Sequence, residues 1–322
     1  MNSRPSTTMT AALLAGVVLA AGAGGACTQD FPPFNRLDSL RVLAIQAEPP
    51  APLTGETTTL TPLIFTPGDP ADVTYRWSWC PAPGPAEQGY KCLITEEELA
   101  AALGGSTLPS FDRGTDPTAT LENALPPQAL AAICGGMVPG LPKPNCSGGF
   151  PVQIALDVTQ GDETVQSVVT VKMRFDGAAQ APNANPKIDA LAAFREGVPH
   201  AIPETMVDDS FALPRDKETR VRADVLSEAS EIYDGLDETD KPAQGLHERL
   251  FMTWFIETGD TDNARTSFIF DRTPFETMLN NTWTPAVSRL YPGNTARLYV
   301  VIHDSRGGVG WRSGIVQLET TP

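Results

Sequence analysis

Hydrophobic and polar positions alternate with a period of two in many short stretches of this chain, which predicts strands rather than long helices. In 72–80 (DVTYRWSWC), Val73, Tyr75, Trp77 and Trp79 fall on one face, the signature of a half-buried strand. Upstream, 38–47 (DSLRVLAIQA) and 57–65 (TTTLTPLIF) read as strands, and Pro62 puts the second at an edge or a bulge. Downstream, 152–158 and 164–175 flank Gln160-Gly161-Asp162 and predict a β-hairpin. Between Pro81 and Phe150 the alternation lapses. There Thr95-Glu96-Glu97-Glu98 is a capping box opening a short helix, and 127–134 (PQALAAIC) before two glycines predicts another.

A stretch rich in Ala, Asn and Pro, 177–187 (GAAQAPNANPK), has no apolar period and marks a domain boundary. The strand pattern then restarts. Residues 188–194 fit a strand better than a helix despite their alanines, 217–225 (KETRVRADV) alternates, and 250–257 (LFMTWFIE) centres a Trp in an apolar run. Residues 297–304 and 309–318 flank Ser305-Arg306-Gly307-Gly308 as a closing hairpin. The halves share an order: an opening strand, a strand after "GET" or "KET", a Trp strand, an insertion and a last hairpin. Trp77 matches Trp254, and the turn at Gly161 matches that at Gly307. A repeat of roughly 130–140 residues suits sandwich domains and is too long for solenoid units.

The segments TYRWSW and RLYVVIHDSRGGVGWRSGIVQL resemble the Trp strand and last hairpin of PKD-like and other immunoglobulin-like domains. Trp79-Cys80-Pro81 and Phe255-Ile256-Glu257 stand where PKD repeats continue with Gly-Asp-Gly. The plan as a whole resembles bacterial surface lipoproteins with tandem immunoglobulin-like domains. The resemblance implies an all-β fold of two tandem immunoglobulin-like β-sandwich domains, 37–176 and 188–322, joined by the linker 177–187. The first carries a short helical, disulfide-containing insertion at 81–150.

The first residues bear on address. A short polar start with Arg4, an apolar run from Met9 to Ala23 and small residues up to Ala26 form the layout of a secretory signal peptide, 1–26. Cys27 follows directly and resembles the acylated cysteine of a bacterial lipobox, although Gly24 stands where that motif usually carries Leu. The other reading is a plain signal peptide that leaves Cys27 as a thiol. Lipidation of Cys27 would make 27–36 a tether and hold the chain at an outer membrane or cell surface, since two acyl chains anchor stably.

Five cysteines are present, and setting Cys27 aside leaves Cys80, Cys92, Cys134 and Cys146, an even set in an exported chain. Two disulfides are expected among them. Three connectivities are open, with local pairs closing short loops or cross-links joining the two parts of the insertion. Zinc would want closer pairs, and no CxxC occurs.

Charge and remaining chemistry narrow the function. With 23 Lys+Arg against 39 Asp+Glu, the net charge of −16 repels phosphate backbones and argues against nucleic acid. The 30 Pro and 27 Gly stay below the roughly 25–30% of low-complexity chains, so a loop-rich folded protein is expected. Only His200, His247 and His303 are present, and HERLF lacks the second His of a zinc-protease helix. No phosphate-cradling loop or GxSxG elbow is found. No catalytic residue and no cofactor are expected, with calcium as the one open case: Asp234, Asp237 and Asp240 in YDGLDETD, and Asp260 and Asp262 in ETGDTDN, are calcium candidates or solvated acidic loops. Trp283 and Trp311 are either exposed platforms for a sugar or partner, or plugs at a sandwich end. The expected function is non-enzymatic adhesion, scaffolding or protein–protein interaction, with an envelope protein or glycan as partner. The alternative is a carbohydrate- or small-ligand-binding lipoprotein.

Overall fold

The computed structural model describes residues 33–67, 69–102, 109–138, 143–176, 181–205, 211–237, 239, 241–286 and 294–319. The predicted leader 1–26, Cys27, most of the tether, the start of the linker and Asp240 lie outside them. Among the described residues, seven strands build the first half: β1 (Arg41–Glu48), β2 (Thr57–Phe65), β3 (Val73–Cys80), β4 (Asp112–Gly114), β5 (Ala119–Glu122), β6 (Phe150–Gln160) and β7 (Glu163–Met173). They form one sheet in the order β1-β2-β5 and a second in the order β4-β3-β6-β7. That order is the one of an immunoglobulin-like sandwich.

Side chains from both inner faces meet in a core that includes Leu60, Trp77, Trp79, Phe150, Ile154 and Leu156. The indoles keep their polar ends satisfied at the margin: Trp77 Nε1 donates to Asp116 O at 2.9 Å and Trp79 Nε1 to Ser110 O at 2.7 Å. Pro62 is tolerated because β5 pairs only with Thr57–Leu60, so β2 is an edge strand on that side by the time it reaches the proline.

The second half contains β8 (Ala190–Arg195), β9 (Val198–Ala201), β10 (Ala212–Leu213), β11 (Thr219–Asp224), β12 (Ile232–Leu236), β13 (Pro242–His247), β14 (Leu250–Ile256), β15 (Asp260–Thr261), β16 (Arg265–Phe268), β17 (Asn280–Thr284), β18 (Thr295–Asp304) and β19 (Val309–Leu318). Its sheets run β15-β17-β11-β8-β9 and β10-β19-β18-β14-β16. The pair β12–β13 stands apart as a hairpin in the connection from β11 to β14. A separate core joins Val221, Trp254, Trp283, Leu298, Val300 and Ile302. Trp77 on β3 and Trp254 on β14 occupy matching central strands and are both fully buried, as the internal repeat predicts. Both halves are thus immunoglobulin-like sandwiches of an all-β protein.

Residues 81–150 differ from the single insertion expected. The short strands β4 and β5 lie inside that range and belong to the two sheets, so the helices sit in two separate connections. One, α1 (Glu96–Ala102), lies between β3 and β4, and α2 (Pro127–Cys134) lies between β5 and β6. Strands of three and four residues, DRG and ATLE, are too short to show a period. The capping box is formed: Glu98 N donates to Thr95 Oγ1 at 3.2 Å, and Thr95 N to Glu98 Oε2 at 2.9 Å. Disulfides Cys80–Cys92 and Cys134–Cys146 close the local pairing, one in each connection. Among the described residues, no helix is long and apolar enough to cross a membrane.

The two sandwiches share one compact unit, Phe34–Pro322, and pack flank to flank. A third cluster joins Leu37, Leu43, Ala44 and Phe65 of the first half to Tyr299, Val301 and Val309 of the second. Phe65 meets the Tyr299 ring edge-on at 6.2 Å between centroids. The bulge between Val42 and Ala44 turns part of β1 toward this joint while Ile45 and Ala47 stay in the first core.

Candidate functional site

Two segments predicted to be spacers are built into the joint. Of the tether, Asn35 is buried; its Nδ2 donates to Trp254 O and Thr261 Oγ1, each at 2.9 Å. Leu37 N donates to Ile256 O and Ile256 N to Asn35 O, both at 2.9 Å, while Arg36 pairs with Asp260 at 2.6 Å. The chain therefore passes along the second sandwich before it begins the first.

Of the linker, Asn185 acts as a two-sided clamp. Its Nδ2 donates to Ala47 O at 2.8 Å and to Glu48 Oε2 at 2.6 Å, and its Oδ1 accepts from Val309 N at 2.8 Å. Gln46 Nε2 adds a bond to Val309 O at 2.6 Å. Residues 181–187 are thus a fixed strap across the joint. Glycines make room for it: a Cβ on Gly310 would land on the Pro186 carbonyl oxygen, and one on Gly308 would collide with the Asp304 carboxylate and the Ala184 carbonyl.

At the upper end of the joint, the turn after β18 carries a buried charge cluster. Arg306 has a side chain only 3% exposed. Its Nε donates to Glu248, its second terminal nitrogen to Glu231, and its first to Pro182 O at 2.7 Å and Ala181 O at 3.3 Å. The guanidinium also lies 4.3 Å from the centroid of the Tyr233 ring. Asp304 shapes the turn, its Oδ1 accepting from Arg306 N and Gly308 N and its Oδ2 from Asn183 Nδ2 at 3.0 Å.

Burial, with repulsion from Asp304, pushes the Glu248 carboxyl up to about 7 against the opposing pull of Arg306. Burial also raises the Tyr233 phenol. On the neighbouring strand position, His303 stacks on Phe251 at 4.8 Å, and burial pushes its imidazole down to about 4.

Over this cluster opens a cleft of about 500 Å³, shared by both sandwiches. Lys172 on β7 forms one wall; Tyr233, Asp237, His247, Arg249, Phe270, Arg272 and Arg306 come from the second half. His247 lies flat on Phe270, with ring centroids 3.6 Å apart and planes within 4°. A second hollow of about 510 Å³ lies farther along the joint, among Pro62, Pro67, Tyr75, Arg297 and Tyr299, with the Glu257 carboxyl raised by burial beneath it.

The sequence candidates are placed differently. Trp283 is 0% exposed on β17, with Nε1 donating to Thr258 O at 2.9 Å, so its indole is a core group and no platform for a sugar. NNTWTPA reads as a loop by composition, but Asn281 and Trp283 both point inward from a strand, and Asn281 Nδ2 is satisfied by Asn263 O at 2.7 Å. Trp311 is partly buried against the joint cluster.

The described acidic candidates lie in two separate segments. Asp234 Oδ1 accepts from Gly245 N, and Asp237 Oδ1 from Thr239 and Lys241, which shapes the β12–β13 hairpin. Asp260 and Asp262 follow the other end of β14. Among the described residues, no group of three His, Cys, Asp or Glu side chains is arranged to hold a metal ion. The cluster of Glu231, Glu248 and Arg306 was not foreseen; its members are 75 and 58 positions from the arginine, and only the isolated charges in HERLF and DSRGG hint at it.

No family model matches the chain, and no curated protein matches it in sequence. Among solved structures, it is similar to the three N-terminal domains of the Highly Immunogenic Outer Capsid protein of bacteriophage RB49, at 10% identity and a TM-score of 0.22, over 88% of this chain and 100% of that one. It is similar to fibronectin(III)-like modules of CbhA from Clostridium thermocellum, at 8% identity and a TM-score of 0.20, over 86% and 94%. The D00-D0 domain of intimin gives 8% identity and a TM-score of 0.20, over 86% and 98%. Superpositions this loose carry no argument, and the sandwich assignment rests on the strand orders above.

Proposed function

We propose that this chain is a non-enzymatic envelope protein, anchored through a lipid on Cys27 at the outer membrane or cell surface, that works in adhesion, scaffolding or protein–protein interaction. The observation that supports it is the joint: residues 34–37 and 181–187 hold two sandwiches as one body, which presents a composite surface of fixed geometry to a partner. Pre-organisation of this kind lowers the ordering cost of binding.

Two measurements on cells test this reading. A clickable palmitate analogue is expected to label the native chain and to fail on Cys27→Ala. Cross-linking with mass spectrometry on intact cells is expected to return the same few envelope neighbours from both sandwiches. An unlabelled, released chain with no recurrent neighbour would overturn the proposal.

The cleft favours a second reading, a carbohydrate- or small-ligand-binding lipoprotein. Its volume of about 500 Å³ lies within the range of small-molecule sites.

A further inference from the structure

We infer that the β12–β13 hairpin is a pH-sensitive arm, latched to the joint by the Glu231–Glu248–Arg306 cluster while Glu248 carries its proton and loosened when that proton goes to solvent. This goes beyond the adhesion reading and does not depend on it.

The arm is built to move. Its two strands pair with each other and, among the described residues, with no other strand. None of the described residues of 232–247 belongs to the three apolar clusters, and Ile232 is 67% exposed. A two-stranded ribbon without an apolar core is marginal in water, so its conformation depends on what it is fastened to. Its attachments include a bond from Ala181 N of the strap to Asp234 O at 3.3 Å, the His247 ring lying on Phe270, and the grip of Arg306 on its base.

The base is where protonation enters. Glu231 stands just before β12 and Glu248 just after β13; Glu248 N donates to Glu231 O at 3.0 Å, and Glu231 N to Glu248 Oε2 at 3.2 Å. Arg306 bonds both carboxylates and carries the connection on to the strap through the Ala181 and Pro182 carbonyls. With Glu248 ionised, its carboxylate, 1% exposed, shares that one guanidinium with Glu231 and has Asp304 nearby. With Glu248 protonated, that repulsion is gone, and its carbonyl oxygen still accepts from Arg306.

Tyr233 and Arg249 stand beside the cluster, and Arg174, just after β7, acts on Arg306. His247 and Lys172 line the cleft above it. In the open arm Glu248 meets water and titrates near 4.5, whereas burial and Asp304 hold it up to about 7 in the closed one. Opening therefore becomes easier as pH rises from 4.5 to about 7 and levels off above that.

Amide hydrogen exchange of the full chain, read by mass spectrometry and corrected for the intrinsic pH dependence of exchange, tests the latch. Amides of 232–247 are expected to exchange about tenfold or more faster than those of β14 and β18 at every pH. Their protection is expected to fall by roughly tenfold or more between about pH 5 and 7. In Glu248→Gln that fall is expected to vanish. A second readout needs no variant: carboxyl-carbon NMR of the parent, labelled in glutamate, is expected to show a glutamate that titrates near 7.

Arm amides as protected as those of β14 and β18, protection that does not change with pH, or a fall that persists in Glu248→Gln would each overturn the inference. Glutamates that all titrate near 4.5 in the parent would do the same.

Discussion

Arg306 shows how much one side chain can organise here. Its donors are spent on two carboxylates and two carbonyls while its own side chain is almost fully buried, so deleting it leaves the buried Glu248 without its partner. Arg306→Ala is expected to lower unfolding free energy by roughly 3–5 kcal/mol, measured by urea denaturation. Two neighbours titrate in opposite senses. Glu248 releases its proton near 7 when folded and near 4.5 when unfolded, so its contribution makes stability fall as pH rises through that window. His303 holds its proton below about 4 when folded and below 6.5 when unfolded, so its contribution makes stability fall as pH drops through that range. The two windows overlap between about 4.5 and 6.5, where the opposed contributions offset each other, so across that range urea midpoints are expected to rise more steeply with pH in Glu248→Gln and to fall with pH in His303→Asn. None of this was legible in the chain, because burial and partner identity are set by contacts dozens of residues away.

Elements with a local cause were legible. The capping box at Thr95–Glu98, the helix at Pro127 and the hairpin at Gly161 depend on residues within a few positions, and all three form. The strands β4, β5, β12, β13 and β17 were hidden, being short or rich in Asp, Asn and Gly, and they hold their conformation through pairing. Disulfide partners fall between these cases: the residue types were readable, but the pairing needed the two connections to be separate. Replacing Cys134 and Cys146 by Ser is expected to cost about 2–4 kcal/mol, checked by denaturation under non-reducing conditions. Gly310→Ala is expected to cost roughly 1–3 kcal/mol, because the strap carbonyl of Pro186 must move to admit a methyl group.

At the scale of the molecule, the joint couples two cores whose sheets, among the described residues, are separate apart from the bridge between Arg36 and Ile256. Calorimetry is expected to show a single unfolding transition for the parent, and two transitions once Phe65→Ala and Asn185→Ala loosen the apolar contact and the clamp together. Two resolved transitions in the parent would show that the sandwiches unfold independently. What the sequence by itself determined is the all-β class, the twofold repetition with its matched tryptophans and the local caps and turns, because period and propensity act over a few residues. What only the tertiary structure decided is that residues 34–37 and 181–187 are built into the joint, that Trp283 is core, and that Glu231 and Glu248 meet on a buried arginine. Those outcomes depend on how two sandwiches pack against each other, and a packing between distant faces leaves no period in the chain.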